Sequence, residues 1–209
     1  MGSKIGVKWI FALCAIFGAN VVFALDFRDS NISFKNLDLQ NLGAIENIEN
    51  FAVSEKFDGV RGIWDGLTMF SKRGKKLAIP PCFAEKLAVL NLQNGEFVEG
   101  EFWSGYGDFE KISSLIRRKN PTCKDFERVK FLIFNAHLNE SSDFLANLVR
   151  ISSSLRGDKA AEAIQKTAQI QVIAQHKFSN ANEVGDFFNA IIAKGGEGVI
   201  LRDSHRLLS

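Results

Sequence analysis

An α+β fold with largely antiparallel sheets is what this sequence predicts, on three observations. Strand-like and helix-like segments mix without strict alternation. The early strands are joined by two Asp-Gly pairs, Asp58-Gly59 and Asp65-Gly66, which are hairpin-turn chemistry. No internal repeat or low-complexity linker divides the 209 residues, enough for one ordinary domain with its own core.

Residues 25–50 are polar with weak periodicity, and are expected to lie across the surface of the later elements. Residues 51–56 and 60–65 read as strands around Asp58-Gly59, and 67–72 as a third after Asp65-Gly66. Pro80-Pro81 opens a helix to about Leu90, because proline suits the first helical turn. Residues 96–103 alternate like a strand. Residues 108–119 form a helix with Phe109, Ile112, Leu115 and Ile116 on one face. Residues 128–137 make a buried strand, and 142–155 a helix with Ser/Asp capping chemistry at its start. A strand at 170–178, a helix at 181–193 and a last strand at 198–202 complete the reading.

Composition excludes several classes. With 46% hydrophobic and 24% charged residues, 3 prolines and 19 phenylalanines, the chain is not disordered, collagenous or a disulfide scaffold. The net charge of +2 comes from Lys4 and Lys8, which precede any acid. The remainder is neutral overall, so a uniformly basic nucleic-acid binder is excluded, while a local basic patch is not.

Residues 1–24 look like an address. Lys4 and Lys8 precede an apolar run from Trp9 to Val22, broken by Gly18 and Asn20, and small or apolar Val22 and Ala24 sit before the expected cleavage. This is the layout of a secretory signal peptide, which places the mature chain from Leu25 in the periplasm. A membrane anchor is the rival, but the run is short of the ~20 residues that span a bilayer. Cys14 leaves with this segment. Cys82 and Cys123 fit no metal spacing; an oxidising compartment allows them to pair, and two partly buried thiols fit equally well.

The chemistry concentrates between Glu55 and Arg61. Lys56 ends an apolar strand, Asp58 comes two residues on, and Gly59 allows a tight turn and close approach by a ligand. Arg61 can bind an anion in fork geometry. A lysine among cations can act as a nucleophile. Taken alone, Lys-x-Asp-Gly is an ordinary charged turn. Three later segments add to it. Glu99 and Glu101 share a strand face, which surface alternation explains and so does a site for Mg²⁺. Phe134 stands at the end of a buried strand, where it can stack on a base, whereas Phe131 reads as core. Glu197 lies between glycines just before an apolar strand, a costly backbone choice unless it faces a ligand.

In this order and spacing the segments resemble the covalent nucleotidyltransferases: ATP-dependent DNA ligases, RNA ligases and capping enzymes. The Lys56-Phe57-Asp58-Gly59-Val60-Arg61 segment matches their Lys-x-Asp-Gly-x-Arg signature, and Glu-Gly-Glu, Phe-Asn and Glu-Gly-Val-Ile-Leu-Arg match later motifs. Residues 54–66, Glu101-Phe102-Trp103 and Gly107-x-Phe109-Glu110 look like the minimal bacterial ATP-dependent DNA ligases, some of which are exported. The resemblance covers about Val53 to Arg202. It implies the nucleotidyltransferase fold around an ATP cleft and a ligase sealing nicked duplex DNA in repair, replication and recombination. Lys56 would attack the α-phosphorus of ATP, and AMP would pass to a DNA 5′-phosphate. Glu55, Arg61, Glu101, Phe134 and Glu197 would bind the nucleotide, with Phe134 on adenine. Glu101 and Glu197 would hold Mg²⁺ or Mn²⁺. The basic cluster with Lys72, Arg73 and Lys75 is a candidate for phosphate or DNA backbone contacts. A monomer is expected.

Departures from the family qualify this. In Ser71-Lys72-Arg73-Gly74 the arginine stands one place later than usual, Glu99 and Asn135 replace aspartates, no lysine follows Lys194, and no oligonucleotide-binding barrel follows Arg202. Residues 25–209 are therefore expected to be an adenylation domain incomplete at its C-terminus, impaired in sealing. The rivals are a non-catalytic ATP- or DNA-binding remnant, and an RNA ligase or capping-type enzyme.

Overall fold

The computed structural model describes residues 32–34, 47–156 and 168–203, with residues 32–34 and 203 described by backbone only. The expected signal segment 1–24, including Cys14, lies outside them, as does His205.

Among the described residues nine strands form two sheets. The small sheet has the order β1-β9-β2, with β1 Ile32–Phe34, β2 Phe51–Lys56 and β9 Gly198–Asp203, antiparallel throughout. The large sheet contains β3 Val60–Trp64, β4 Met69–Ser71, β5 Lys76–Leu77, β6 Phe97–Trp103, β7 Lys130–His137 and β8 Ile170–Val172, in the order β5-β4-β3-β6-β7-β8. Only β7 and β8 pair in parallel among the described strands. The expected α+β architecture with largely antiparallel sheets is therefore present.

The strands around Asp58-Gly59 do not form the expected hairpin. β2 pairs with β9, and β3 pairs with β4 and β6. Residues 57–59 carry the chain from one sheet to the other. A local turn signal cannot say which partner a strand will take, and here Val53 of β2 joins the smaller core while Trp64 of β3 joins the larger. The Asp65-Gly66 turn does close a hairpin, β3 to β4. Asp65 Oδ1 accepts from the N–H groups of Leu67 and Thr68 at 2.8 and 2.6 Å, so the strand starts at Met69, later than expected.

Among the described residues four α-helices cover the sheets: α1 Pro81–Ala88, α2 Phe109–Ile116, α3 Phe144–Arg156 and α4 Ala181–Ala193. Pro81 opens α1 behind Pro80, as its fixed φ favours. Asp143 caps α3 by accepting from the N–H of Ala146 at 2.7 Å. Asn180 and Glu183 form a reciprocal cap on α4, where Asn180 accepts from the N–H of Glu183 and Glu183 from that of Ser179. α2 is shorter than expected, and Phe109 at its start is partly exposed rather than on the packed face.

The larger core holds Phe83, Leu87, Phe102, Ile112, Phe126, Phe131, Ile133 and Ile151. The smaller core, between α4 and the small sheet, holds Val53, Val184, Ile191, Val199 and Leu201. The strand expected at 170–178 ends at Val172. The chain then crosses to the small sheet, where His176 exchanges backbone hydrogen bonds with Val53, both 2.8 Å. Residues expected on the surface before Phe51 supply β1 instead. Cys82 on α1 is bonded to Cys123, with Cα atoms 6.1 Å apart. Among the described residues no helix is long and apolar enough to cross a membrane.

Candidate active site

Strand alternation sorts the small sheet into two faces. Val53, Val199 and Leu201 pack toward α4. The other face carries Ser54, Lys56, Ile200 and Arg202, paired as Lys56 with Gly198, Ser54 with Ile200 and Ala52 with Arg202. At the end of β2 the Lys56 ammonium forms an ion pair with Glu197, both side chains less than one-fifth exposed. The close return of β9 beside β2 thus joins the first and last expected motifs.

The large sheet supplies the opposing wall. Register places Arg61 beside Glu101 and Ile63 beside Glu99, so both carboxylates lie on the Arg61 face. Glu99 is buried at 3% exposure. Its Oε2 accepts from Arg61 Nε at 2.9 Å and pairs with the same guanidinium through Nη2, while its Oε1 accepts from Asn135 Nδ2 at 2.8 Å. Arg202 reaches across from β9, donating to the Phe134 carbonyl at 3.2 Å and to Asn135 Oδ1 at 3.4 Å, with its guanidinium 4.1 Å from the Phe144 ring centroid.

Phe134 is not at a strand end. Asn135 pairs with Glu99 and Ile133 with Gly100, so Phe134 is the extra residue of a β-bulge. A bulge bends its strand and re-aims a side chain. The Arg61 guanidinium lies 5.4 Å from the Phe134 ring centroid, leaving the ring half-buried beside the charged groups.

Glu101 feels the crowd most. Burial pushes its carboxyl up to about 8, against the pull of Arg61 and Lys56, while Glu197 and Asp58 add to the push. Glu101 and Glu197, whose charges act on one another, are the carboxylates that would hold a divalent cation here. Among the described residues no three His, Cys, Asp or Glu side chains converge on a metal site.

Gly59 is also corrected in role. Its close approach is to the protein itself, since a Cβ there would stand 2.2 Å from the Phe102 carbonyl oxygen and 2.8 Å from Glu101 Cγ.

The structure brings together Lys56, Arg61, Glu101, Phe134 and Glu197. It leaves Glu55 out. One residue before Lys56, Glu55 points to the other side of β2 and accepts from the Tyr106 hydroxyl at 2.7 Å. Burial first, then the hydrogen bond to Glu55 and its charge, push the Tyr106 phenol up to about 12. Lys72, Arg73 and Lys75 sit on the exposed tip of the β4–β5 hairpin. Ser71 pairs with Gly62, so this tip extends from the end of the sheet that carries Arg61.

Sequence reasoning gave no role to Tyr106 or Arg202. Tyr106 has no local signal, since its partner Glu55 is on β2, and Arg202, though it closes the Glu-Gly-Val-Ile-Leu-Arg segment, contacts a bulge on the other sheet that the segment does not announce.

No protein-family model matches the chain. It is 28% identical over 179 residues to a curated DNA ligase of Haemophilus influenzae (strain ATCC 51907 / DSM 11121 / KW20 / Rd), covering 85% of this chain and 61% of the relative. The chain thus spans about three-fifths of that relative's length. Its fold is shared with a solved Lig E DNA ligase, at TM-score 0.61 and 24% identity over 77% of this chain and 58% of that one. It is shared too with the ATP-dependent DNA ligase of bacteriophage T7 in complex with ATP, at TM-score 0.54 and 15% identity over 81% and 60%. The fold is the nucleotidyltransferase fold of ATP-dependent ligases.

Proposed function

We propose that this chain is the adenylation portion of an ATP-dependent DNA ligase, with Lys56 as its nucleophile. The observation that carries this is the meeting of Lys56 with Glu197 opposite a wall of Arg61, Glu101 and Phe134. The names of its relatives and the ATP held by the T7 enzyme support the choice of DNA and ATP.

ATP is the substrate. The Lys56 ammonium loses a proton to solvent, its amine attacks the α-phosphorus of ATP, a nitrogen–phosphorus bond forms as the bond to the α,β-bridging oxygen breaks, and pyrophosphate leaves with that oxygen. A 5′-phosphate at a DNA nick then takes the AMP, freeing Lys56, and the nick's 3′-hydroxyl displaces AMP to close the strand. A covalent intermediate divides one difficult transfer into easier ones. Phe134 offers the base a ring face, and Arg61 meets ribose or phosphate oxygens. Glu101 and Glu197 would hold Mg²⁺ or Mn²⁺, which neutralises charge gathering on the phosphates. Glu197 also holds the Lys56 ammonium in place before reaction. Lys72, Arg73 and Lys75 follow the DNA backbone.

Export belongs to the same proposal. The pattern of residues 1–24 supports cleavage after Ala24, and the Cys82–Cys123 bond suits an oxidising compartment. N-terminal sequencing of the periplasmic fraction should begin at Leu25. Full-length chain retained in the cytosol would overturn export.

The central test incubates the chain with radiolabelled ATP or GTP and Mg²⁺. One AMP per chain should survive denaturation, GTP should leave no label, and Lys56→Ala should abolish labelling. Peptide mapping that finds AMP on Lys72 or Lys75, or no label at all, overturns the assignment.

A further inference from the structure

Asn135 stands where the two sheets meet. It is buried at 8% exposure on β7, beside the bulged Phe134. Its amide has two ends, and the surroundings dictate how they point. Glu99 presents a carboxylate, which in its ionised form only accepts; Arg202 presents a guanidinium, which only donates. The amide therefore turns Nδ2 toward Glu99, at 2.8 Å, and Oδ1 toward Arg202, at 3.4 Å. Glu99 in turn holds Arg61 with its other oxygen. A continuous polar chain, Arg61–Glu99–Asn135–Arg202, runs from the large sheet to the small one.

The chemistry of this position is selective. A leucine would fill the space but leave one Glu99 oxygen and an Arg202 donor without this partner. An aspartate would still accept from Arg202, but would set a second carboxyl group against Glu99. The Asn135 amide offers a donor to Glu99 on one side and an acceptor to Arg202 on the other. Arg202 lies on β9, the strand that begins one residue after Glu197, and Glu197 holds Lys56. The chain of contacts thus links the position of Arg61 on one sheet to that of the nucleophile on the other.

We propose that Asn135 is a positioning residue for nucleotide transfer: its amide orients Glu99, which fixes the Arg61 guanidinium, and it ties this arrangement to Arg202 so that Arg61 and Lys56 face the same nucleotide. This rests on the adenylation reading for its consequence, and on the contacts alone for its geometry.

Two measurements on the full chain separate the inference from that reading. The first needs no activity. The Nε–H signal of Arg61 in a ¹⁵N spectrum, assigned by its disappearance in Arg61→Lys, should be sharp and protected from exchange. It should shift and lose protection in Asn135→Leu and in Asn135→Asp. The second variant keeps the size and the Arg202 contact if the first fails to fold. A signal unchanged in every variant that melts cooperatively overturns the inference. The second measurement is a double-mutant cycle on AMP labelling. Asn135→Leu should slow labelling by about tenfold or more when Arg61 is present, and by less than about twofold in the Arg61→Lys background, because one interaction cannot be lost twice. Equal losses in both backgrounds overturn the positioning role. If the unmodified chain takes no AMP, the adenylation reading fails, while the Arg61 signal still decides whether Asn135 orients it.

Discussion

Gly59 and Phe102 are in such close contact that a β-carbon on Gly59 would stand 2.2 Å from the Phe102 carbonyl oxygen. That oxygen is on a central strand of the large sheet and cannot move aside as a flexible side chain would. The contact seats the three-residue link between the sheets, and with it the end of β2 that bears Lys56.

Gly59→Ala is therefore expected to push the link off β6. Overpacking of this kind costs about 1–3 kcal/mol. Thermal melting should show the loss, and AMP labelling should fall further than stability alone explains, because Lys56 and Arg61 flank the displaced turn. Labelling at the unmodified rate would show that the seat does not govern the nucleophile.

Phe131→Ala should act through folding alone. The ring is fully buried, packs on Phe102 at 5.0 Å between centroids, and fills the space left by Gly62 and Gly100. A buried Phe→Ala change costs about 3–5 kcal/mol. Urea unfolding should report it, with AMP labelling near normal at low temperature where the variant remains folded.

Glu197→Ala should weaken metal-dependent labelling. Removing one electrostatic contact to a reacting phosphate typically costs about 10²–10³-fold in rate. The Mg²⁺ concentration giving half-maximal labelling should also rise. If a Mg²⁺ titration leaves both values unmoved, Glu197 serves only as the partner of Lys56.

Glu96 gives the stability a defined pH dependence. It is buried at 2% exposure. Burial alone pushes its carboxyl up, but hydrogen bonds from the N–H groups of Gln93 and Asn139 and the charge of Arg150 outweigh this and hold it below the ordinary 4.5. A group whose folded pKa is depressed contributes stability above its unfolded pKa and loses it as pH falls through the folded one. Glu96→Gln should therefore lower the melting temperature at neutral pH, with the gap closing as pH drops below 4.5. A gap that persists undiminished into acid would point to shape rather than charge.

The Cys82–Cys123 bond should be felt as stability. It closes a loop across 41 residues and draws Phe126 onto Phe83, with ring centroids 5.0 Å apart. Removing a native disulfide from a small domain typically costs about 2–5 kcal/mol. Melting with and without a dithiol reductant, and of Cys82→Ser, should show matching decreases. No change on reduction would leave the aromatic cluster as the sole brace.

Local chemistry was legible wherever the cause was local. The start of α1 follows from its two prolines, because a cap acts within one turn. Lys56, Arg61, Glu101, Phe134 and Glu197 were legible as a group because their spacing matches a known signature. Partnership was not legible. Nothing in residues 51–64 says that β2 will pair with β9 and leave β3 to another sheet, since that choice is made by cores assembled from distant segments. Glu99 read as a metal-suited acid because alternation gives only its face. Its actual partners, Arg61 and Asn135, depend on strand register and on a bulge that no short pattern announces. Glu55 stands beside Lys56 in the chain, yet alternation sends it to the far side of β2 and to Tyr106.

The order β1-β9-β2 has a bearing on how the protein is made. β9, among the last residues described, must slot between two of the earliest strands. Until it is synthesised, β2 and β1 have no partner at its place, and each presents an open edge that invites wrong pairing. Such long-range pairing slows folding, because the closure of a long loop precedes any reward. Lys56 emerges early from the ribosome, but it meets Glu197 only when the segment leading into β9 arrives. The Lys56–Glu197 ion pair and the completed small sheet therefore form together.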